Sequence, residues 1–187
     1  MRLEIRLYGD PVLRKRAREV TDFGPKLAEL VEDLFETMEE ENGAGLAAPQ
    51  VGILQRVYVF NEYGEPDDGG ISERVAQHVF VNPVITSRRG TQKTLEGCLS
   101  IPGLRFNGID RDLEVTVEYQ DMEGEKHEMT AHGYLAQTIL HEQDHLDGVL
   151  YLDRLGARDR REFMDEHREE LAEMQRYAKK QLAGKPG

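Results

Sequence analysis

Between Pro25 and Glu41, the residues Leu27, Leu30, Val31, Leu34, Phe35 and Met38 recur at three- and four-residue intervals. Acidic residues fill the positions between them. This spacing predicts a helix with one buried stripe, a solvated end at Glu39-Glu40-Glu41 and a stop at Gly43. Upstream, Asp10-Pro11-Val12-Leu13 reads as a capped, proline-initiated short helix. Arg56 to Phe60 and Val79 to Ile85 are β-branched and aromatic runs, and both predict strands. Leu113 to Tyr119 alternates apolar and polar residues, Asp121-Met122-Glu123-Gly124 turns the chain, and Lys126 to Thr130 returns as a hairpin partner. The stretch from Tyr134 to Asp147 contains neither Gly nor Pro and reads as a helix, with Thr130 as a candidate N-cap. Gly148 to Leu152 suggests a short apolar strand or turn. Ala157 to Leu182 predicts one long, highly charged helix that touches the core through Phe163, Met164, Leu171, Met174 and Leu182. The acidic, glycine-rich span from Glu62 to Glu73 reads as a mobile surface loop with no assigned role.

Strands mixed with flanking helices, without regular βαβ alternation, imply an α+β fold of mostly antiparallel strands around the Tyr134–Asp147 helix. The length of 187 residues suits a single domain over the whole chain. A formal net charge of −12 argues against DNA or RNA binding through a general positive field. One cysteine cannot form an internal disulfide, and no stretch has membrane-spanning length or the pattern of a signal peptide. The expectation is a soluble, cytoplasmic protein.

Within the Tyr134–Asp147 helix lies His141-Glu142-Gln143-Asp144-His145, an H-E-x-x-H pattern. Residues four apart share a helix face, so His141 and His145 can offer two imidazoles to one metal ion. Glu142 stands about 100° around the helix, where its carboxylate can reach a water beside that ion without ligating it. A catalytic site of this kind needs a third protein ligand. Cys98, in Glu96-Gly97-Cys98-Leu99-Ser100, is either a small core residue or that ligand, and the adjacent metal pattern favours the thiolate. Three other arrangements stay open: a peptidase whose third ligand is Glu162 or Glu166, a thiol hydrolase with Cys98 as nucleophile, and a peptide-binding module with a structural metal. Asp144 reads as an anchor or surface acid rather than a fourth ligand. His78, His127 and His167 read as surface or strand residues, and His132 as a turn residue.

Gly43-Ala44-Gly45-Leu46-Ala47-Ala48-Pro49-Gln50 is too short for a long helix. It is either a tightly packed connection or a rim of backbone groups open to a ligand, with Gln50 as a donor.

This segment, the Glu96–Ser100 segment and His141-Glu142-Gln143-Asp144-His145-Leu146 together resemble, in order, the signature motifs of the peptide deformylase family. Pro11-Val12-Leu13-Arg14 and Phe35-Glu36-Thr37-Met38 are similar too, so the resemblance covers nearly the whole chain. One departure is Leu140, where many members have Gln. The resemblance implies removal of the N-formyl group from the formyl-methionine end of new polypeptides. It implies one divalent metal on Cys98, His141 and His145, usually Fe²⁺, with Zn²⁺, Ni²⁺ or Co²⁺ as substitutes. It further implies Glu142 as proton acceptor and donor, with the Gln50 amide and the Leu99 backbone N–H holding the negative oxygen. On the helix, Tyr134, Gln137 and Thr138 share the face of His141 and are expected to line the pocket for the first side chain, although plain packing would also account for Gln137 and Thr138. Gly43, Ala44 and Gly45 would offer backbone groups to an extended peptide. The basic end of the last helix, Arg176 to Lys185, reverses the acidic trend and offers a candidate ribosome contact.

Overall fold

A computed structural model describes residues 1–66, 69–70 and 72–184. Helix α1 (Pro25–Glu40) is followed by a short strand β1 (Gly45–Ala47), then β2 (Val57–Tyr63), β3 (Arg74–Cys98), β4 (Ile101–Gln120) and β5 (Lys126–His132). Helix α2 (Tyr134–Leu146) and the C-terminal helices α3 (Ala157–Glu166) and α4 (Arg168–Ala183) complete the chain. The strands form one sheet in the order β1-β2-β3-β4-β5, each pair antiparallel. The α+β class with a central H-E-x-x-H helix is thus what the sequence pattern implied.

Strand β2 shows how the layers arise. Side chains along a strand alternate between faces. Val57 and Val59 pack with Leu27, Leu30, Val31, Leu34 and Met38 of α1. Tyr58 and Phe60 pack on the other side with Ala136, Ile139, Leu140 and Leu146 of α2. One helix therefore covers each face at this end of the sheet. Each such side chain, fully buried, contributes roughly 1.5–3 kcal/mol. A third cluster joins Leu13, Ile101, Leu104 and Ile109 to Leu150, Tyr151, Leu152, Phe163, Leu171 and Met174, and so holds the C-terminal helices. Helix α2 is also fastened by polar contacts: Tyr58 donates to Gln143 at 3.0 Å, and Gln143 donates to the Pro83 carbonyl at 3.0 Å. Pro83 is tolerated in β3 because a bulge lies there, beside Asn82 with φ 50°.

Several local expectations need correction. Thr130 does not cap α2; it lies in β5 opposite Thr116, and Gly133 holds the cap position with φ 63°. The hairpin runs two residues further than its polar pattern suggests, so His132 ends a strand rather than making a turn. The left-handed residue that closes α1 is Asn42, with φ 56°, and Gly43 follows it, its N–H bonded to the Met38 carbonyl. Asparagine tolerates that conformation as glycine does, so the stop falls one residue early. The expected long C-terminal helix is two helices that break at His167, where neither Gly nor Pro announces it. Of the strand or turn expected at Gly148 to Leu152, the structure has the turn, with a 3-10 turn at Tyr151–Arg154. The short helix at Pro11–Arg14 is also of 3-10 type, capped by the Asp10 carboxylate. In the span from Glu62 to Glu73, β2 extends to Tyr63, and Asp67, Asp68 and Ile71 lie outside the described residues.

Candidate metal centre

Helix α2 presents His141 and His145 one turn apart, with ring centroids 5.0 Å from each other. Opposite them, a bulge at Gly97/Cys98 ends β3 and turns Cys98 toward the helix. Its Sγ lies 3.4 Å from His145 Nε2. One ligand-type atom from each of Cys98, His141 and His145 falls within 4.8 Å of the others. Glu162 and Glu166, the alternative third ligands, sit exposed on α3 and do not join this group.

The surroundings suit a cation. His141 Nδ1 is bonded to Glu96 at 2.9 Å, which leaves Nε2 for the cluster. Burial, then the neighbouring His141 ring, holds the His145 pKa well below its usual range, whereas hydrogen bonds with Cys98 and Glu96 hold that of His141 above it despite burial. Burial pushes Glu96 up more than any single contact pulls it down, but the hydrogen bonds and charges of Arg111 and His141 together outweigh it and hold the carboxyl below its usual range. A soft thiolate with two imidazoles is a donor set for a borderline divalent ion. The residues fit a metal.

Glu142 is buried beside His141, with Oε1 4.0 Å from His141 Nε2 and Oε2 without a partner among the described residues. Burial pushes its pKa up to about 7, close to the value suited to a group that both takes and gives a proton. Gly45 makes room for it: a Cβ there would stand 3.0 Å from the Glu142 carboxyl carbon. Gly43 is similarly tight, since a Cβ would meet Leu99 Cδ1 at 2.8 Å. A side chain at Gly43 or Gly45 would thus displace Leu99 or Glu142 from its present position. Gln50 is buried, its orientation fixed by the Ala47 N–H, which donates to Oε1 at 3.0 Å. Its Nε2 donates to Ser100 Oγ at 3.2 Å and more weakly to Cys98 Sγ at 3.5 Å.

A cavity of about 900 Å³ opens over these groups, and its walls include Gly43, Ala44, Gly45, Cys98, Leu99, His141 and Glu142. Tyr134, Gln137 and Thr138 line it as helix geometry implied. Gln137 also spans to β3, donating to the Leu95 carbonyl at 2.8 Å, and the Thr138 hydroxyl donates to the Tyr134 carbonyl. Gln50 is absent from the cavity wall but touches Cys98, which is part of it.

Sequence reasoning missed the support of the histidines. Glu96 accepts a two-pronged bond from Arg111, which also donates to Asp144, itself held by Arg154. Arg111 stands in an Asp-Arg-Asp run that looks like solvated surface. The one signal in the sequence is Asp144, expected as an anchor or surface acid, and it is an anchor, bonded to both Arg111 and Arg154. Two of the other four histidines pair with acids: His78 with Glu62 and His127 with Asp121, each at 2.7 Å.

A family model described as polypeptide deformylase matches residues 2–161. Peptide deformylase of Thermus thermophilus is 46% identical over 180 residues, covering 94% of this chain and 93% of the relative. Peptide deformylase 1 of Corynebacterium glutamicum is 45% identical over 162 residues, covering 86% and 91%. The crystal structure of a Thermus thermophilus peptide deformylase superposes with a TM-score of 0.85 at 44% identity, over 94% of this chain and 99% of that one. That from Thermotoga maritima gives a TM-score of 0.74 at 41% identity, over 83% and 99%. The chain belongs to the peptide deformylase family, metal-dependent hydrolases that remove the N-formyl group from newly made polypeptides.

Proposed function

We propose that Cys98, His141 and His145 hold one divalent metal and that Glu142, Gln50 and Leu99 carry the deformylation. The observation that supports this most directly is the convergence of one thiol and two imidazoles within 4.8 Å, beside a buried carboxylate. When bound, the cation supplies Lewis acidity and makes water acidic enough to attack near neutral pH. Glu142 accepts the proton of the attacking water and returns it to the amine as the C–N bond to formate breaks. Gln50 Nε2 exchanges its weak contact with Cys98 for the formyl oxygen, and the Leu99 N–H donates to the same atom, together stabilising the negative charge. Gly43, Ala44 and Gly45 take the peptide backbone in extended form, and Tyr134, Gln137 and Thr138 receive the first side chain.

Hydrolysis of formyl-Met-Ala-Ser, followed with and without a chelator, tests the reading. Formate release that stops with chelation and returns with added metal supports it; release that survives chelation but stops on alkylation points to Cys98 as a nucleophile instead.

The ligand set itself does not choose among Fe²⁺, Zn²⁺, Ni²⁺ and Co²⁺. Fe²⁺ is the proposed native ion. An Fe²⁺ form should then lose activity in air, with added oxygen on Cys98, while a Zn²⁺ form persists. The chain is proposed to work as one catalytic domain over residues 1–187, in the cytoplasm where formylated chains emerge. No helix among the described residues is long and apolar enough to cross a membrane.

The exposed Arg176, Lys179 and Lys180 of α4 support a ribosome contact, while Lys185 of that basic run lies outside the described residues. Met174, Ala178 and Gln181 of the same helix are buried, so glutamate substitutions at the three exposed positions test this better than truncation. Ribosome affinity should fall while short-peptide turnover stays unchanged; equal affinity refutes the contact.

A further inference from the structure

We infer that Arg154 is a positioning residue for His141, acting from the turn after α2 through the buried series Asp144, Arg111 and Glu96. The inference rests on the reading of His141 as a metal ligand. Arg154 grips Asp144 with two bonds, Nη2 to Oδ1 at 2.7 Å and Nε to Oδ2 at 3.1 Å. Arg111 Nη1 donates to the same Asp144 Oδ2 at 2.7 Å, and its Nε and Nη2 each reach Glu96 at 2.8 Å. Glu96 Oε1 then holds His141 Nδ1 at 2.9 Å.

Charge explains why the outermost member matters. The side chains of Glu96, Arg111 and Asp144 are 2%, 4% and 11% exposed, and that of Arg154 is 47% exposed. Without Arg154, two buried carboxylates share a single guanidinium. Arg111 is then drawn toward Asp144, and its paired bonds to Glu96, which set the orientation of the His141 ring, loosen. The same turn reaches His141 directly, since the Tyr151 ring stacks on it with centroids 6.3 Å apart. Leu150, Tyr151 and Leu152 are buried, so the backbone that carries Arg154 is fixed to the C-terminal core. Another ion pair of this turn, Arg160 with Asp153, joins neither Asp144 nor the histidines. It provides the control.

The test uses the full chain loaded with Zn²⁺ and measures metal release to an excess of a coloured chelator, together with kcat and KM on formyl-Met-Ala-Ser. Arg154→Leu should release Zn²⁺ at least about tenfold faster and lose kcat by a similar factor, as partners of metal ligands do. KM should stay within about twofold, because no substrate contact is lost. Arg154→Lys should recover part of both effects, and the Co²⁺-loaded variants should differ from wild type in visible absorption. In an Asp144→Asn background, Arg154→Leu should add almost nothing further. Arg160→Leu should match wild type throughout. Release and kcat of Arg154→Leu equal to wild type, or equally altered in Arg160→Leu, would overturn the inference while leaving the metal site intact. A wild-type chain that takes up no Zn²⁺ would overturn the site reading itself.

Discussion

Helices α1 and α2 cover opposite faces of one sheet and bury different chemistry. Of the seven buried positions on α1, five are apolar: Leu27, Leu30, Val31, Leu34 and Met38. Of the nine on α2, five are polar: Thr138, Glu142, Gln143, Asp144 and His145. A helix that exists only to close a core has no reason to accept the desolvation of Glu142, Asp144 and His145. Each of these groups carries its own justification. Gln143 ties α2 to β2 and β3, Asp144 belongs to the arginine network, and His145 and Glu142 face Cys98 and the cavity. The difference separates a helix selected for packing from one selected for chemistry, and substitutions on each should fail in different ways.

The largest effect is expected at Glu142. Glu142→Gln preserves shape and should keep both fold and metal, yet kcat should fall by about 10²–10⁴-fold or more, because one group serves as proton acceptor and donor. Turnover within a few-fold of wild type would remove Glu142 from the mechanism. Next comes Arg111, which links the two buried carboxylates. Arg111→Met should destabilise by about 3–5 kcal/mol in denaturant titration, since it strands Glu96 and Asp144 without their shared cation. It should also weaken metal binding, which a change in core packing alone would not do. On α1 the outcome is of another kind. Leu34 is fully buried, and Leu34→Ala should cost about 2–5 kcal/mol of stability. The kcat of the folded fraction should remain that of wild type. A Leu34→Ala protein that keeps its stability but loses turnover would erase the distinction between the helices.

These two helices also mark what the chain reveals on reading. The α1 stripe is legible because every buried contact obeys the helical repeat, and the β4–β5 hairpin is legible for the same reason at period two. The His141–His145 pair is legible because metal chemistry fixes its spacing. What escapes is whatever depends on distant partners. Arg111 looks solvated between Asp110 and Asp112, but the pairing of β4 with β3 puts it opposite Gln92, from where its long side chain reaches Glu96. Thr130 looks like a cap because hydroxyl chemistry suits one, but pairing with Thr116 in the sheet prevails. The break at His167 has no local marker at all. The role of Gly45 is visible only once Glu142 packs against it, since a tight turn and a close approach demand the same residue.

Everything proposed for the site depends on Cys98 as the third ligand. The most direct measurement is metal content per chain, by elemental analysis, of wild type and Cys98→Ala purified side by side without oxygen. Wild type should carry about one divalent ion per chain, and Cys98→Ala, left with two imidazoles, should carry almost none and release no formate from formyl-Met-Ala-Ser. A Cys98→Ala chain that keeps its full metal and its turnover would contradict the proposed site.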